Sequence, residues 1–312
     1  MTKIKLGLVG VGKIAVDQHI PSIAETELFD LVAVVSQRGT ELPGVRTFKS
    51  QSDMLAAMPE LEAVANCTPP AVRHAATIEA LKAGKHVLIE KPPTSSVAEL
   101  ADMTATAEQM QRTLFATWHS QFNPAVDQAA QILKTRKPAK VSIIWKEDVR
   151  RWHPGQEWIW QAGGFGVFDP GINALSILVK ILPEPVFVHK ADLLFPQNRD
   201  TPIAAHLVMG GAPLSGLDVT AEFDWRQEGE QTWTIEVGLS DGGTLMLTHG
   251  GTRLFVDGTA AITEKDAEYR HIYRHFASLI RTSSRDIDAR PLYLVADSLL
   301  MGRRQVTDAF DW

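Results

Sequence analysis

Short apolar runs and amphipathic stretches alternate through the first third of the chain. Strand-like runs fall at residues 4–9, 31–35, 63–66, 86–90 and 113–117. Apolar positions at helical spacing fill residues 14–25, 71–83 and 97–111 between them, and Gly84 follows the second as a helix C-terminal cap. Such alternation predicts βαβ units and a parallel sheet. After about Trp118 the pattern changes. A helix is expected over 125–133, a strand over 140–146, and a helix over 170–181, opening at Pro170. Residues 150–166, rich in Trp and Gly, read as a long loop. Residues 186–256 read as successive strands with turns at Asp241-Gly242-Gly243 and Gly250-Gly251, which predicts an antiparallel sheet. Helical patterns over 264–280 and 291–306 close the chain. The expected fold is α/β: a doubly wound parallel sheet over residues 1–118, then an α/β domain with an open, mainly antiparallel sheet over 119–312. The last helix is a candidate to pack back on the first domain.

Length and composition narrow this picture. At 312 residues the chain has room for two domains of roughly 150 residues each. The net charge of −6, from 31 basic and 37 acidic residues, argues against a nucleic-acid partner, which calls for a basic footprint. No apolar run reaches the ~18 residues that suggest a membrane span, and the first residues lack the apolar block of a signal peptide. Cys67 is the only cysteine, so an intrachain disulfide is excluded. The expectation is a cytoplasmic protein that acts on a small molecule.

Chemistry enters at the strand ends. Gly10-Val11-Gly12-Lys13-Ile14-Ala15 is G-x-G-x-x-A between a strand and a helix, the dinucleotide fingerprint of a Rossmann domain. Gly10 permits the tight turn, Gly12 lets backbone approach a pyrophosphate, Ala15 keeps helix and sheet close, and the helix N-terminus presents free N–H groups to phosphate. A glycine turn without a ligand is the competing reading, and the strand pattern behind it weighs against that. After the second strand comes Ser36-Gln37-Arg38, without the acid that an NAD site places on the ribose 2′-hydroxyl. Ser36 can donate to a 2′-phosphate and Arg38 can pair with it, so NADP is the preferred cofactor expected, with NAD also possible. The third and fourth strands end in Cys67-Thr68-Pro69-Pro70, with His74 beyond it, and in Glu90-Lys91-Pro92-Pro93. Both lie on the carboxyl edge, where ligands bind in open parallel sheets. Proline after Lys91 keeps that lysine extended.

With those motifs in view, the chain resembles the glucose–fructose oxidoreductase/inositol dehydrogenase family. The marks are G-V-G-K-I-A, C-T-P-P, E-K-P-P and D-P-G-I-N at 169–173, in order over nearly the whole chain. The stretches 145–160 and 166–177 are similar to a narrower group within it, the bacterial L-arabinose/D-galactose 1-dehydrogenases. That resemblance implies a Rossmann domain, a second domain with an open sheet, and oxidation of an aldose at C1 to the lactone with NAD(P). In one respect the chain departs from the wider family. Where many members carry a histidine acid/base four residues after the aspartate, this chain has Asn173, as the narrower group does. Proton abstraction then falls to Asp169 or Lys91, and the sequence leaves that choice open.

Asp169 and Asn173 are one helical turn apart and share a face. In the expected site Asp169 is base or proton relay, Lys91 bonds the C1 oxygen, and Asn173 orients the sugar. Asp followed by Pro is also an ordinary helix N-cap, and only its pairing with the lysine motif favours chemistry. Glu147, Trp152 and His153, with Trp118 and His119, are the candidates for the sugar wall: indole for the C–H face, Glu and His for hydroxyls. Core packing competes for each of them. His271 and His275 have the i, i+4 spacing of zinc helices but no third ligand, so no metal is expected. Two rivals share the fold: a non-catalytic NAD(P)-binding regulator, and an enzyme acting on another polyol. An open sheet with apolar outward positions suggests a homodimer through that face.

Overall fold

The computed structural model describes residues 2–312. It falls into two compact units: one runs to His119 and takes up Glu268–Ala289, and the other joins Ser120–Ala267 to Arg290–Trp312.

In the first unit, strands β1 (Ile4–Val9), β2 (Phe29–Val35), β3 (Arg46–Phe48), β4 (Ala63–Asn66), β5 (His86–Glu90) and β6 (Leu114–Thr117) form a parallel sheet in the order β3-β2-β1-β4-β5-β6. The connections carry helices α1 (Ile20–Thr26), α2 (Gln51–Ala57), α3 (Pro70–Lys82) and α4 (Val97–Gln109). This is the doubly wound order, reversing between β1 and β4. The central strands are apolar on both faces, with Leu6, Leu8, Val64, Leu88 and Ile89 fully buried, as a sheet covered on both sides requires. The helix after the glycine turn contains one π-type turn, Ala15–His19, which leads into α1. His19 is fully buried there.

The second unit begins with α5 (Pro124–Leu133), β7 (Pro138–Lys146), the short α6 (Val149–Trp152) and α7 (Phe168–Ile181). Strands β8 (Phe187–Pro196), β9 (Ala204–Gly210), β10 (Asp218–Asp224), β11 (Thr232–Leu239), β12 (Thr244–Thr248), β13 (Arg253–Val256) and β14 (Thr259–Thr263) follow. The chain then forms α8 (Glu268–Arg281), α9 (Arg290–Met301) and β15 (Gly302–Thr307). The sheet order is β14-β13-β12-β11-β7-β10-β9-β8-β15. It is antiparallel except at β7–β10 and β8–β15. Strand β7 alternates in burial: Val141, Ile143 and Trp145 face the core, whereas Ile144 is 38% exposed. The outward face is mixed, with Lys146 paired to Glu222 at 2.7 Å.

The structure corrects several expectations. The segment that returns to the first unit is Glu268–Ala289 and not the last helix. Its helix α8 places Tyr273 against Phe29 and stacks Phe276 on Phe29 and Phe115, with centroids 5.4, 5.6 and 6.3 Å apart. Asp286 then bridges to Phe115 beside β6. Helix α9 stops at Met301, and Gly302–Thr307 pairs in parallel with β8 instead of continuing the helix. Helix α7 opens at Phe168, not Pro170, so Asp169 sits inside the first turn and is not its N-cap. Among the described residues no helix is long and apolar enough to cross a membrane.

Candidate active site

The glycine turn is built as a cradle. Gly10 has φ +91°, and a Cβ there would lie 3.1 Å from the Cys67 carbonyl carbon and from the Thr68 nitrogen. The ends of β1 and β4 are drawn together: Cys67 N donates to Val9 O at 2.8 Å, and Gly10 N to Val35 O at 3.1 Å. At Gly12 a Cβ would meet nothing within 4 Å, so that stretch of backbone is open to a ligand. Ala15 is fully buried, which holds the helix on the sheet. A tight turn, an open glycine and a following helix start fit a pyrophosphate. Lys13 pairs with Asp17, and Ile14 is 36% exposed.

At the end of β2 the serine is committed locally. Ser36 Oγ accepts from Thr40 N at 3.0 Å and donates to Thr40 Oγ1 at 3.2 Å. Its hydroxyl therefore shapes the turn and is not an idle donor. Gln37 and Arg38 are exposed. Lys49, just past β3, donates to Gln37 O at 3.2 Å, which places a second cation over the same turn. The sequence reading missed Lys49 because it missed β3, the short strand that brings it alongside β2.

The ends of β4 and β5 are braced by Arg73, a buried side chain of α3. Its guanidinium donates to the carbonyls of Thr68, Glu90 and Pro92. Thr68 is further tied to Asn66 Oδ1, at 3.2 Å through N and 2.7 Å through Oγ1. Pro70 is the first residue of α3, while Pro69 is exposed. His74 is engaged by Asp102 at 2.7 Å on the flank of α3 facing α4. Lys91 is half-buried.

Beneath Lys91 lies a buried polar cluster. Glu90 Oε1 receives the Tyr269 hydroxyl at 2.8 Å and lies 3.0 Å from His19 Nε2. Glu90 Oε2 accepts the Lys91 N–H at 2.9 Å. His19 Nδ1 is 2.7 Å from the Tyr273 hydroxyl. Burial opposes charge on Glu90, but hydrogen bonding to His19 and the charges of His19, His119 and Arg73 prevail and hold its carboxyl down at about 2. Burial likewise opposes charge on His19, yet Cys67, Tyr273 and Glu90 together raise its proton affinity well above the ordinary value. Glu90 thus contributes stability that is present above the unfolded carboxyl range near 4.3 and is lost as pH falls toward about 2. Nothing in a linear pattern marks His19, Tyr269 or Tyr273 as neighbours of β5.

Trp118 is buried, and its indole N–H donates to Asp288 O at 2.8 Å. His119 Nδ1 is 2.7 Å from Glu268 Oε2, and its ring stacks on Tyr269. These two predicted wall residues secure the returning segment within the first unit. His275 is engaged by Asp286 at 2.7 Å.

In the second unit the aspartate and the loop histidine come together. His153 Nε2 lies 3.4 Å from Asp169 Oδ2, with Asp169 buried. The His153 ring sits 5.3 Å from that of Trp225. Asn173 is half-buried one turn further along α7. Glu147 is buried and receives two indole N–H groups, Trp225 at 3.3 Å and Trp233 at 3.0 Å. Its carboxylate therefore orients tryptophans. Trp152 is 36% exposed, bonds Gln231 at 3.3 Å and packs on Trp233. The expected loop over 150–166 is ordered by α6 and by a 3-10 turn at Glu157–Trp160. At Gly164 a Cβ would collide with the carbonyls of Trp158 and Ile159. A cavity of about 480 Å³ lined by Phe187, His189 and Leu214 contains none of the predicted site residues.

Comparison with known proteins decides what this frame is. Residues 4–117 match the family described as "Oxidoreductase family, NAD-binding Rossmann fold". The chain is 46% identical to a galactose 1-dehydrogenase of Pseudomonas fluorescens over 310 residues, 99% of each protein. This chain belongs to the glucose–fructose oxidoreductase/inositol dehydrogenase family. A crystal structure of a D-galactose-1-dehydrogenase from Rhizobium etli superposes with a TM-score of 0.94 at 49% identity, covering 100% of this chain and 99% of that one. A 3-ketoreductase from Actinomadura kijaniata, in complex with TDP-benzene and NADP, shares the fold, with TM-score 0.82 and 18% identity over 98% of this chain and 100% of that one.

Family membership makes the protein an oxidoreductase with an NAD(P)-binding Rossmann domain. It also gives the glycine cradle its ligand class. In such a domain the ligand lies beyond the carboxyl edge of the parallel sheet. Gly10, Gly12, Cys67, Thr68 and Lys91 stand just past strand ends at that edge, whereas the Glu90 carboxylate, expected to face cofactor, turns inward and is 3% exposed.

Proposed function

We propose that the protein is an NAD(P)-dependent aldose 1-dehydrogenase that oxidises D-galactose, L-arabinose or both at C1 to the lactone, with NADP preferred. The observation that carries this reading is whole-length similarity to galactose 1-dehydrogenases, joined to a histidine–aspartate pair with an asparagine one turn on. The glycine cradle, the Cys67–Pro70 turn and the β2 end would hold the cofactor, whose nicotinamide supplies the hydride acceptor. The chain's own residues do the rest. Lys91 hydrogen-bonds the C1 oxygen. Asp169, seconded by His153, takes the hydroxyl proton. Asn173 donates to or accepts from a ring hydroxyl, and the exposed face of Trp152 covers sugar C–H groups.

The test is direct. Purified protein is mixed with NADP or NAD and a panel of D-galactose, L-arabinose, D-glucose and inositol, and reduced cofactor is followed by absorbance. Turnover of the first two is expected. No turnover with any sugar, despite cofactor binding, points to the regulator reading, and turnover of inositol alone points to another polyol.

The preference for NADP rests on the missing acid after β2 and on two cations, Arg38 and Lys49, at that turn. Arg38→Ala is expected to raise the KM for NADP about tenfold and leave that for NAD within about twofold, the loss of one charge-assisted pair. Equal effects on both cofactors would remove Arg38 from the 2′-phosphate. The outward face of the second sheet is proposed to pair with a second copy. Light scattering at micromolar concentration is expected to give twice the chain mass, and a monomer there would exclude the pairing.

A further inference from the structure

The cluster beneath Lys91 has no place in the proton transfers above, yet it is among the most completely engaged polar groups of the first unit. Glu90 and Lys91 are adjacent on one strand end, so their side chains point to opposite sides. The lysine is half-buried just past the strand end. The glutamate turns inward, 3% exposed, among groups brought from the π turn, from α8 and from the residue just after β4. Those groups are His19, Tyr269, Tyr273 and Cys67, with Arg73 from α3 and the His119–Glu268 pair alongside. A buried carboxylate carries a large desolvation cost unless donors satisfy it. Here the donors are identifiable: the Tyr269 hydroxyl, His19 Nε2 and the Lys91 main-chain N–H.

The third of those donors gives the cluster a function. A carboxylate that holds the N–H of the very next residue fixes the direction in which that residue leaves the strand. Arg73 fixes the same segment from its carbonyl side, at Glu90 O and Pro92 O. The peptide that carries Lys91 is therefore held at its N–H by an anion and at its flanking carbonyls by a cation. We infer that Glu90 is a positioning residue: its carboxylate, anchored by His19 and Tyr269, locks the Lys91 main chain so that the lysine side chain leaves the sheet edge in one direction. The inference rests on the reading of Lys91 as a catalytic residue.

Glutamine at position 90 is the discriminating change. It keeps the shape and one acceptor, but its amide N–H₂ would face groups that are themselves donors, so one of the three bonds is lost. Expected for Glu90→Gln is a kcat about tenfold to a hundredfold lower, with the sugar KM and the NADP dissociation constant within about threefold, because orientation is lost and binding is not. Tyr269→Phe, which removes one donor and no charge, is expected to show the same pattern at about threefold to tenfold. A second readout does not depend on activity. Hydrogen exchange of the peptide spanning residues 86–96 is expected to quicken in Glu90→Gln, with the peptides of β1 and β4 unchanged. Quickened exchange with unchanged kcat would mean that Lys91 is not catalytic, while the lock itself stands. Unchanged exchange in folded Glu90→Gln, or a loss confined to KM or to protein yield, would overturn the lock.

Discussion

Replacing Lys91 by alanine is expected to lower kcat by about a hundredfold to a thousandfold, the range for removal of one donor to a developing oxyanion. The NADP dissociation constant, read by fluorescence titration, is expected to stay within about threefold, since the pyrophosphate cradle at Gly10 and Gly12 is untouched. The effect should be large because a neutral polyol offers no charge of its own to hold the reacting oxygen. A lysine ammonium on the C1 oxygen stabilises the developing alkoxide only as that charge forms, which is an interaction made in the transition state and not in the ground state. A Lys91→Ala enzyme with near wild-type kcat and NADP bound would sink the proposed mechanism.

Asp169→Asn is expected to reduce kcat by a similar factor, about a hundredfold or more. Asparagine matches the shape of the side chain but accepts no proton. The placement of Asp169 makes this a sharp test. It lies in the first turn of α7 and is not its cap, so its loss does not remove a helix-capping bond. A stability change beyond about 1 kcal/mol is therefore not expected from capping. Its partner His153, at 3.4 Å, should behave as part of the same unit. If the two form one relay, His153→Asn added to Asp169→Asn lowers kcat by far less than the product of the single effects. Full multiplicativity would separate the histidine from the proton path, and a single Asp169→Asn enzyme of normal kcat would return the aspartate to a structural role.

Much of this frame was legible in the chain. Strands β1, β4 and β5 stand where their apolar runs placed them, and the carboxyl edge of the sheet follows from where those runs end. The periodicity signal is strong there because a strand buried on both faces needs consecutive apolar residues. Short elements were lost: β3 has three residues and α2 seven, too few for a periodic pattern to emerge. Strand β15 was lost differently. Its residues continue a helical pattern, and only pairing with β8 selects the extended form, a tertiary override of local preference.

The candidate site divides along the same line. Gly10, Gly12, Lys91, Asp169 and Asn173 carry local signatures, a turn that needs positive φ, a strand end or a helical spacing, and these the sequence determined by itself. Which side chains meet them, only the tertiary structure decided. Glu147 is expected from the sequence to face sugar, yet the sheet hands its carboxylate to Trp225 and Trp233. Trp118 and His119 are expected to line a wall, yet the returning segment takes them with Asp288 and Glu268. His19 and Tyr269 reach Glu90 across as many as 179 positions of chain, and Tyr273 reaches His19. The physical reason is common to all of them. Backbone preference and apolar periodicity act over a few residues and are written locally, whereas a buried polar atom takes its partner from whatever the packed fold brings within about 3 Å.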